Sequence, residues 1–142
     1  MIDSLTAEKR SWNMSRIKGK NTRPGLLLRS LLHNAGFRFR LHPENLPGKP
    51  DIVLPRYKTV VFVNGCFWHR HENCRFAYFP KSRQEFWLEK FKATVLRDEN
   101  KKQLLIAEGW HVTTVWECEL KKNSAVVAEK LISYLEALEE KA

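Results

Sequence analysis

The sequence predicts an α/β domain in which a mixed β-sheet is flanked by helices. Three observations carry this. Segments of helical and strand periodicity follow one another in the order α-β-β-β-α-β-α. Two neighbouring runs, Ile52-Val53-Leu54 and Thr59-Val60-Val61-Phe62-Val63, are apolar without alternation, as in a central strand covered on both faces. A chain of 142 residues is also of the size of one domain with a real core. The domain is read as residues 1–142, with a basic arm over 1–20 and the core over 21–142.

The arm is polar and basic, with Lys9, Arg10, Arg16, Lys18 and Lys20 around Trp12 and Met14. It reads either as a solvated tail or as a strip lying along a phosphate backbone. The first helix starts at Thr22 as N-cap, with Pro24 in the opening turn, where a missing N–H costs little. Leu27, Leu28, Leu31 and Leu32 recur at helical spacing, and Gly36 is the expected C-terminal stop. Phe37-Arg38-Phe39-Arg40-Leu41 alternates like a half-buried strand. A turn-rich loop from Pro43 to Pro50 leads into the two apolar runs. The long second helix is expected to begin at Ser82, with Glu85 closing a capping box. Leu88, Phe91 and Val95 would be its buried stripe, and it would run, whole or broken, to Glu108 before Gly109. His111 to Trp116 is the last strand. Ser124 would cap an amphipathic helix carrying Val127, Leu131, Tyr134, Leu135 and Leu138.

The formal net charge is +9, placed unevenly: residues 1–116 carry +11 and the last 26 carry −2. A basic body with 11% aromatic residues suggests a polyanionic partner, most simply nucleic acid. A basic protein that binds nothing is the bland alternative. No apolar stretch approaches the ~20 residues that cross a bilayer, and the first residues lack a signal-peptide core. The expectation is a cytoplasmic protein without a membrane partner.

The ten residues Gly65-Cys66-Phe67-Trp68-His69-Arg70-His71-Glu72-Asn73-Cys74 are the densest in chemistry. With the distant Cys118, Cys66, His71 and Cys74 form a Cys₃His set of spacing C-x₄-H-x₂-C-x₄₃-C. Zinc takes four such ligands tetrahedrally, and a site filled by protein ligands is structural. The alternative is three buried free thiols and ordinary histidines. Disulfides are disfavoured by the odd number of cysteines and the absent secretory signal.

Asp51 enters an apolar strand from a turn, so a rigid element holds its carboxylate at the strand's wet end. Mg²⁺ binds through one or two carboxylates, several waters and substrate phosphate oxygens. An aspartate that merely closes the turn is the competing reading. His69 would point with His71 in an extended chain, while a turn would free it for another site. It is then either a general base that takes a proton from attacking water or a competing zinc ligand.

Several runs together resemble the very-short-patch repair DNA mismatch endonucleases. They are Leu46-Pro47-Gly48-Lys49-Pro50-Asp51, Phe62-Val63-Asn64-Gly65-Cys66-Phe67-Trp68-His69, Glu85-Phe86-Trp87-Leu88-Glu89-Lys90, Arg97-Asp98 and Trp116-Glu117-Cys118. The resemblance implies a restriction-endonuclease-like fold with a structural zinc site, and an enzyme that nicks one strand 5′ of a thymine mispaired with guanine. It implies Asp51 as Mg²⁺ ligand with the Val63 backbone carbonyl, His69 as general base and Asp98 as its orienting carboxylate. Cys66, His71, Cys74 and Cys118 match the zinc ligands, with one residue inserted before Cys74 relative to the family's shortest pattern. Phe67, Trp68 and Trp87 match rings that wedge into the DNA stack, Met14 approaches from the other groove, and Lys90 and Thr94 lie where the mispaired bases are read. Double-stranded DNA with a T·G mismatch is the implied partner, along with other mismatch-repair proteins. The chain is expected to act as a monomer, associated with the nucleoid in a prokaryote.

Three positions depart from the pattern. Gly25 stands where a glutamate is expected on the first helix. Helix physics asks for the same residue, because position 25 is N3 when Thr22 is the N-cap. Asn64, counted with the catalytic residues, stands where some members carry a histidine near the scissile phosphate; it could hydrogen-bond water or phosphate but cannot serve as a base, and Thr94 stands where an asparagine is expected. The alternatives are therefore a catalytically weak DNA-binding protein on the same fold, or a nuclease less selective for mismatches.

Overall fold

The computed structural model describes residues 22–43 and 45–141. The basic arm, including Met14, lies outside the described residues. Helix α1 is Arg23–Asn34, the four strands are β1 (Arg40–Leu41), β2 (Ile52–Leu54), β3 (Thr59–Asn64) and β4 (His111–Trp116), helix α2 is Gln84–Ala107 and helix α3 is Glu117–Lys141. The sheet order is β1-β2-β3-β4, with β3 and β4 parallel and the other pairs antiparallel. The parallel pair is joined through α2, as a parallel connection requires a long crossover.

Both faces of the sheet are covered, and strand alternation sorts the side chains between them. Ile52, Leu54, Val61 and Val115 join Leu28 and Leu32 of α1 and Leu120, Ala128, Leu131 and Leu135 of α3. Val53 and Val60 face the other way, toward Leu105 of α2, with Phe62, Trp110 and Val112 around them. Two-sided cover is the reason β2 and β3 read as unbroken apolar runs.

Helix α1 follows its sequence signals. Thr22 Oγ1 accepts from the Gly25 N–H at 3.4 Å. At the other end the Gly36 N–H donates to His33 and the Phe37 N–H to Leu32, with Gly36 at φ +96°. Nothing lies within 4 Å of a Cβ built there, so backbone conformation alone calls for glycine. Gly48 answers two demands: its φ is +75°, and a Cβ would sit 2.7 Å from Lys101 Cδ. The loop before Asp51 is thereby seated against α2.

Four expectations need correction. The strand expected over 37–41 pairs only at Arg40 and Leu41, because Phe37 closes α1 and turns into the core. Ser82 does not cap α2; Arg83 is the N-cap, in a left-handed conformation with no side-chain cap bond, and Glu85 closes no capping box. Of the expected stripe on α2 only Phe91 is buried, whereas Leu88 and Val95 are 45% and 47% exposed. The face that packs carries Trp87, Phe91 and Asp98, at spacings of four and seven, and α2 is unbroken. Finally, α3 begins directly at Glu117 and kinks at Asn123, whose Oδ1 accepts from the Val126 N–H at 3.3 Å. Asn123, not Ser124, caps its second part. Cys118 consequently lies on the first turn of a helix.

Candidate active site and metal centre

Asp51 lies where the β2 chain enters the sheet, its N–H donating to the Val61 carbonyl at 3.1 Å. Its Oδ2 accepts from the Val63 N–H at 2.7 Å. The N–H and C=O of one strand residue point to the same edge, so the Val63 carbonyl is turned toward Asp51 as well. His42 Nδ1 stands 3.7 Å from Oδ1, and His42 Nε2 lies 2.8 Å from an Arg29 guanidinium nitrogen. Burial pushes the Asp51 carboxyl above its ordinary value, while the Val63 N–H and the nearby His42, Arg29 and His69 work in the opposite direction. A carboxylate that is largely buried yet ionised is best compensated by a cation. Together with the same-facing carbonyl of Val63, this donor set fits a hard ion such as Mg²⁺.

Gly25 is buried on the side of α1 that faces this strand end. A Cβ there would lie 3.9 Å from Val63 Cγ1 and 3.1 Å from Thr22 Oγ1. Position 25 therefore borders the Asp51 site, where a longer side chain would add a group to it.

After β3 the chain turns rather than extends. The His69 N–H donates to Gly65, the His71 N–H donates to Cys66, and Arg70 adopts a φ of 54°. The turn sends the two histidines apart. His69 Nδ1 lies 2.6 Å from Asp98 Oδ2, and both side chains are a little over a quarter exposed. With Nδ1–H held by a carboxylate, Nε2 is the nitrogen left to accept a proton. His69 is close enough to lower the Asp51 pKa electrostatically, so the two belong to one site. Asn64 ends β3 opposite Trp116 and is half-buried.

His71 goes to the second cluster. Cys66, His71, Cys74 and Cys118 place their ligand atoms within 4.8 Å of one another. The Cys118 Sγ is 3.4 Å from His71 Nδ1, and the imidazole is stacked on Trp116 at 4.2 Å between ring centroids. Tetrahedral zinc–sulfur bonds near 2.3 Å set sulfurs about 3.8 Å apart, so the spacing fits such an ion. Burial pushes the Cys66 thiol up to about 12 and raises Cys118 too. Thiols so placed become thiolates only with a compensating cation. The four residues tie the loop after β3 to the junction of β4 and α3.

The loop after β3 and helix α2 also build a nest of rings. Phe67 is its hub, with ring centroids of Trp68, Tyr78, Trp87 and Phe91 at 5.1–5.5 Å. Trp68 and Trp87 are partly exposed, and Phe86 extends the nest outward at 44% exposure. Lys90 is exposed on α2, and Thr94 donates its hydroxyl to the Lys90 carbonyl at 3.0 Å.

The structure thus gathers Asp51, Val63, His69 and Asp98 into one site and the four metal-ligand candidates into another. Sequence reasoning did not single out Arg29, His42 or Arg70. Arg29 is one helical turn beyond Gly25, so a helix that aims position 25 at the site aims position 29 there too. His42 left no such signal. Arg70 donates to the Phe67, Tyr78 and Ala77 carbonyls and lies 3.8 Å from the Phe91 ring centroid, clamping the loop that carries His69.

Residues 2–75 match the profile of the family described as DNA mismatch endonuclease Vsr. The type II nicking enzyme V.XorIIP of Xanthomonas oryzae pv. oryzae is 50% identical over 128 residues, covering 90% of this chain and 93% of that protein. V.NmeAIP of Neisseria meningitidis serogroup A, also a type II nicking enzyme, is 47% identical over 92% of each chain. The DNA mismatch endonuclease Vsr of Escherichia coli K12 is 40% identical over 136 residues, 96% of this chain and 86% of that one. A family match over more than half the chain, with near full-length relatives at these identities, makes the conclusion plain: the chain belongs to the DNA mismatch endonuclease Vsr family.

Proposed function

We propose that this chain is a zinc-stabilised, Mg²⁺-dependent endonuclease that nicks one DNA strand at or next to a T·G mismatch. The single observation that carries the reading is the convergence of Asp51 and the Asp98-held His69 beside an exposed ring nest. The names of the relatives, a mismatch endonuclease and nicking enzymes, point the same way.

Asp51 and the Val63 carbonyl would hold Mg²⁺, which would supply polarisation of the scissile phosphate and stabilisation of the leaving oxygen. His69 Nε2 takes the proton of the attacking water, and Asp98 keeps the other ring nitrogen protonated and the ring in place. Trp68, Trp87 and Phe67 wedge into the duplex, trading unstacking of a few kcal/mol per step for a bent DNA with more contact. A mismatched pair unstacks at lower cost, which favours T·G sites. Cys66, His71, Cys74 and Cys118 would hold zinc, which would serve as scaffolding for the loop that carries His69 and the wedge. Gly25 leaves the site one carboxylate short, so nicking is slower than with glutamate at that position.

The test is strand nicking of a T·G duplex and its T·A parent with Mg²⁺, by this chain and by Asp51→Ala and His69→Ala. A nick confined to T·G and lost in both variants supports the mechanism. Robust cleavage by both variants refutes it, equal cutting of T·A shows a less selective nuclease, and tight binding without cutting shows a DNA-binding protein.

A further inference from the structure

His42, beside Asp51, has a strained backbone. It follows β1 at φ 43°, in the left-handed region where a residue with a Cβ is disfavoured. Such conformations persist where the surroundings hold them, and they gather at functional sites. The strain has a visible result, because the side chain is carried inward to only 12% exposure, between Arg29 of α1 and Asp51 of the sheet.

The contact with Arg29 points to where this ring carries its proton. A guanidinium only donates, so His42 Nε2, 2.8 Å from Arg29, must accept. The ring is then neutral with its proton on Nδ1, and that Nδ1–H faces Asp51 Oδ1 at 3.7 Å. The separation exceeds a hydrogen bond. It supplies an oriented positive edge while leaving the Oδ1 lone pairs available. Oδ2 is meanwhile held by the Val63 N–H at 2.7 Å. One oxygen is fixed by the sheet and the other is steered from α1 through an imidazole.

We propose that Arg29 and His42 form a positioning pair that presents Asp51 Oδ1 to the catalytic cation, with Arg29 setting the tautomer of His42 and His42 setting the plane of the carboxylate. The pair deepens the reading of Asp51 as metal ligand and rests on it. Outer partners that orient a ligand commonly change metal affinity by about 10–100-fold when removed.

The experiment uses the full-length chain and Mn²⁺ as probe, its binding without DNA read by electron paramagnetic resonance. His42→Gly accepts the left-handed backbone without strain, so it should fold with unimpaired thermal stability yet bind Mn²⁺ about tenfold or more weakly. His42→Asn tolerates the same backbone and puts an N–H near the Nδ1 position, and should restore most of the affinity. Nitrogen NMR of the metal-free protein should show His42 neutral with its proton on Nδ1, and Arg29→Met should release that tautomer preference. Mn²⁺ affinity unchanged in His42→Gly, or a proton on Nε2 in the parent, overturns the pair. Asp51→Asn separates the two levels. Lost affinity there with none lost in His42→Gly refutes the positioning pair alone, and affinity unchanged in Asp51→Asn refutes the metal reading and the pair with it.

Discussion

Gly25→Glu is the perturbation that bears most directly on activity, and the structure gives its size. Replacing a helical glycine by a residue with a Cβ contributes about 0.5–1 kcal/mol. The new Cβ would meet Thr22 Oγ1 at 3.1 Å, which asks the hydroxyl to give by a few tenths of an ångström. That hydroxyl makes a long cap bond of 3.4 Å and has slack to move. Gly25→Ala should therefore raise the melting temperature by roughly 2–4 °C. The glutamate adds a favourable interaction with the helix N-terminus of about 0.3–1 kcal/mol, but it also brings a second carboxylate toward Asp51, whose ionisation burial already opposes. Without Mg²⁺ the two effects offset, so Gly25→Glu should be no more stable than Gly25→Ala; with Mg²⁺ it should be the more stable of the two. Single-turnover nicking of a T·G duplex is the assay, run with Gly, Ala, Gln and Glu at position 25 across a Mg²⁺ series. Glu alone should accelerate the nick by about tenfold or more, equivalent to about 1.4 kcal/mol of barrier, and should shift the Mg²⁺ requirement downward. If Ala or Gln matches Glu, or Glu gains nothing in rate or in Mg²⁺ response, the reasoning that position 25 completes the site fails.

Other consequences can be checked separately. Metal analysis of purified protein should find about one zinc per chain, and Cys118→Ser or chelation should lower the melting temperature; equal stability without metal would contradict the cluster's role. Asp98→Asn, read by single-turnover kinetics, should slow nicking less than His69→Ala, whose loss of the base should cost about 10²–10⁴-fold. The Asp51 carboxyl is raised above its ordinary 3.8 by burial, so the folded state binds its proton more tightly than the unfolded one. The ionised group opposes folding at neutral pH, and that opposition fades as pH falls through the raised folded value toward 3.8. Without metal, Asp51→Asn should melt above the parent at pH 7, with the gap narrowing as pH falls through that window. Arg70→Ala removes three carbonyl bonds from the loop and should cost about 1–3 kcal/mol, with proteolysis of the loop residues accelerated in the folded protein.

Where a pattern depends on neighbours along the chain, the sequence was sufficient. The Thr22 cap, the Gly36 stop, the apolar runs of β2 and β3 and the strand at His111–Trp116 all follow from local preferences and from side-chain period, and the structure keeps them. The Cys₃His set was legible even across the long gap to Cys118, because few residue types can serve that chemistry and all three cysteines of the chain fall within it. The reading failed where the answer depends on what covers a surface. Leu88 and Val95 are apolar at helical spacing, but the loop after β3 packs its rings on the neighbouring stripe through Trp87 and Phe91, leaving the two aliphatic residues bordering an open groove. Ser82 and Glu85 have the spacing of a capping box, yet Arg83 takes the cap position. The meeting of Arg29, His42 and Asp51 was equally invisible, since it joins a helix, a strand end and a loop that only the packed sheet brings within a few ångströms. Sequence by itself determined most of the helices and strands and which residue types can do chemistry, because dihedral preference and side-chain type are local properties. The tertiary structure alone decided which face is buried, which histidine lies at which cluster and which residues stand beside Asp51, because burial and proximity are made by contacts between residues far apart in the chain.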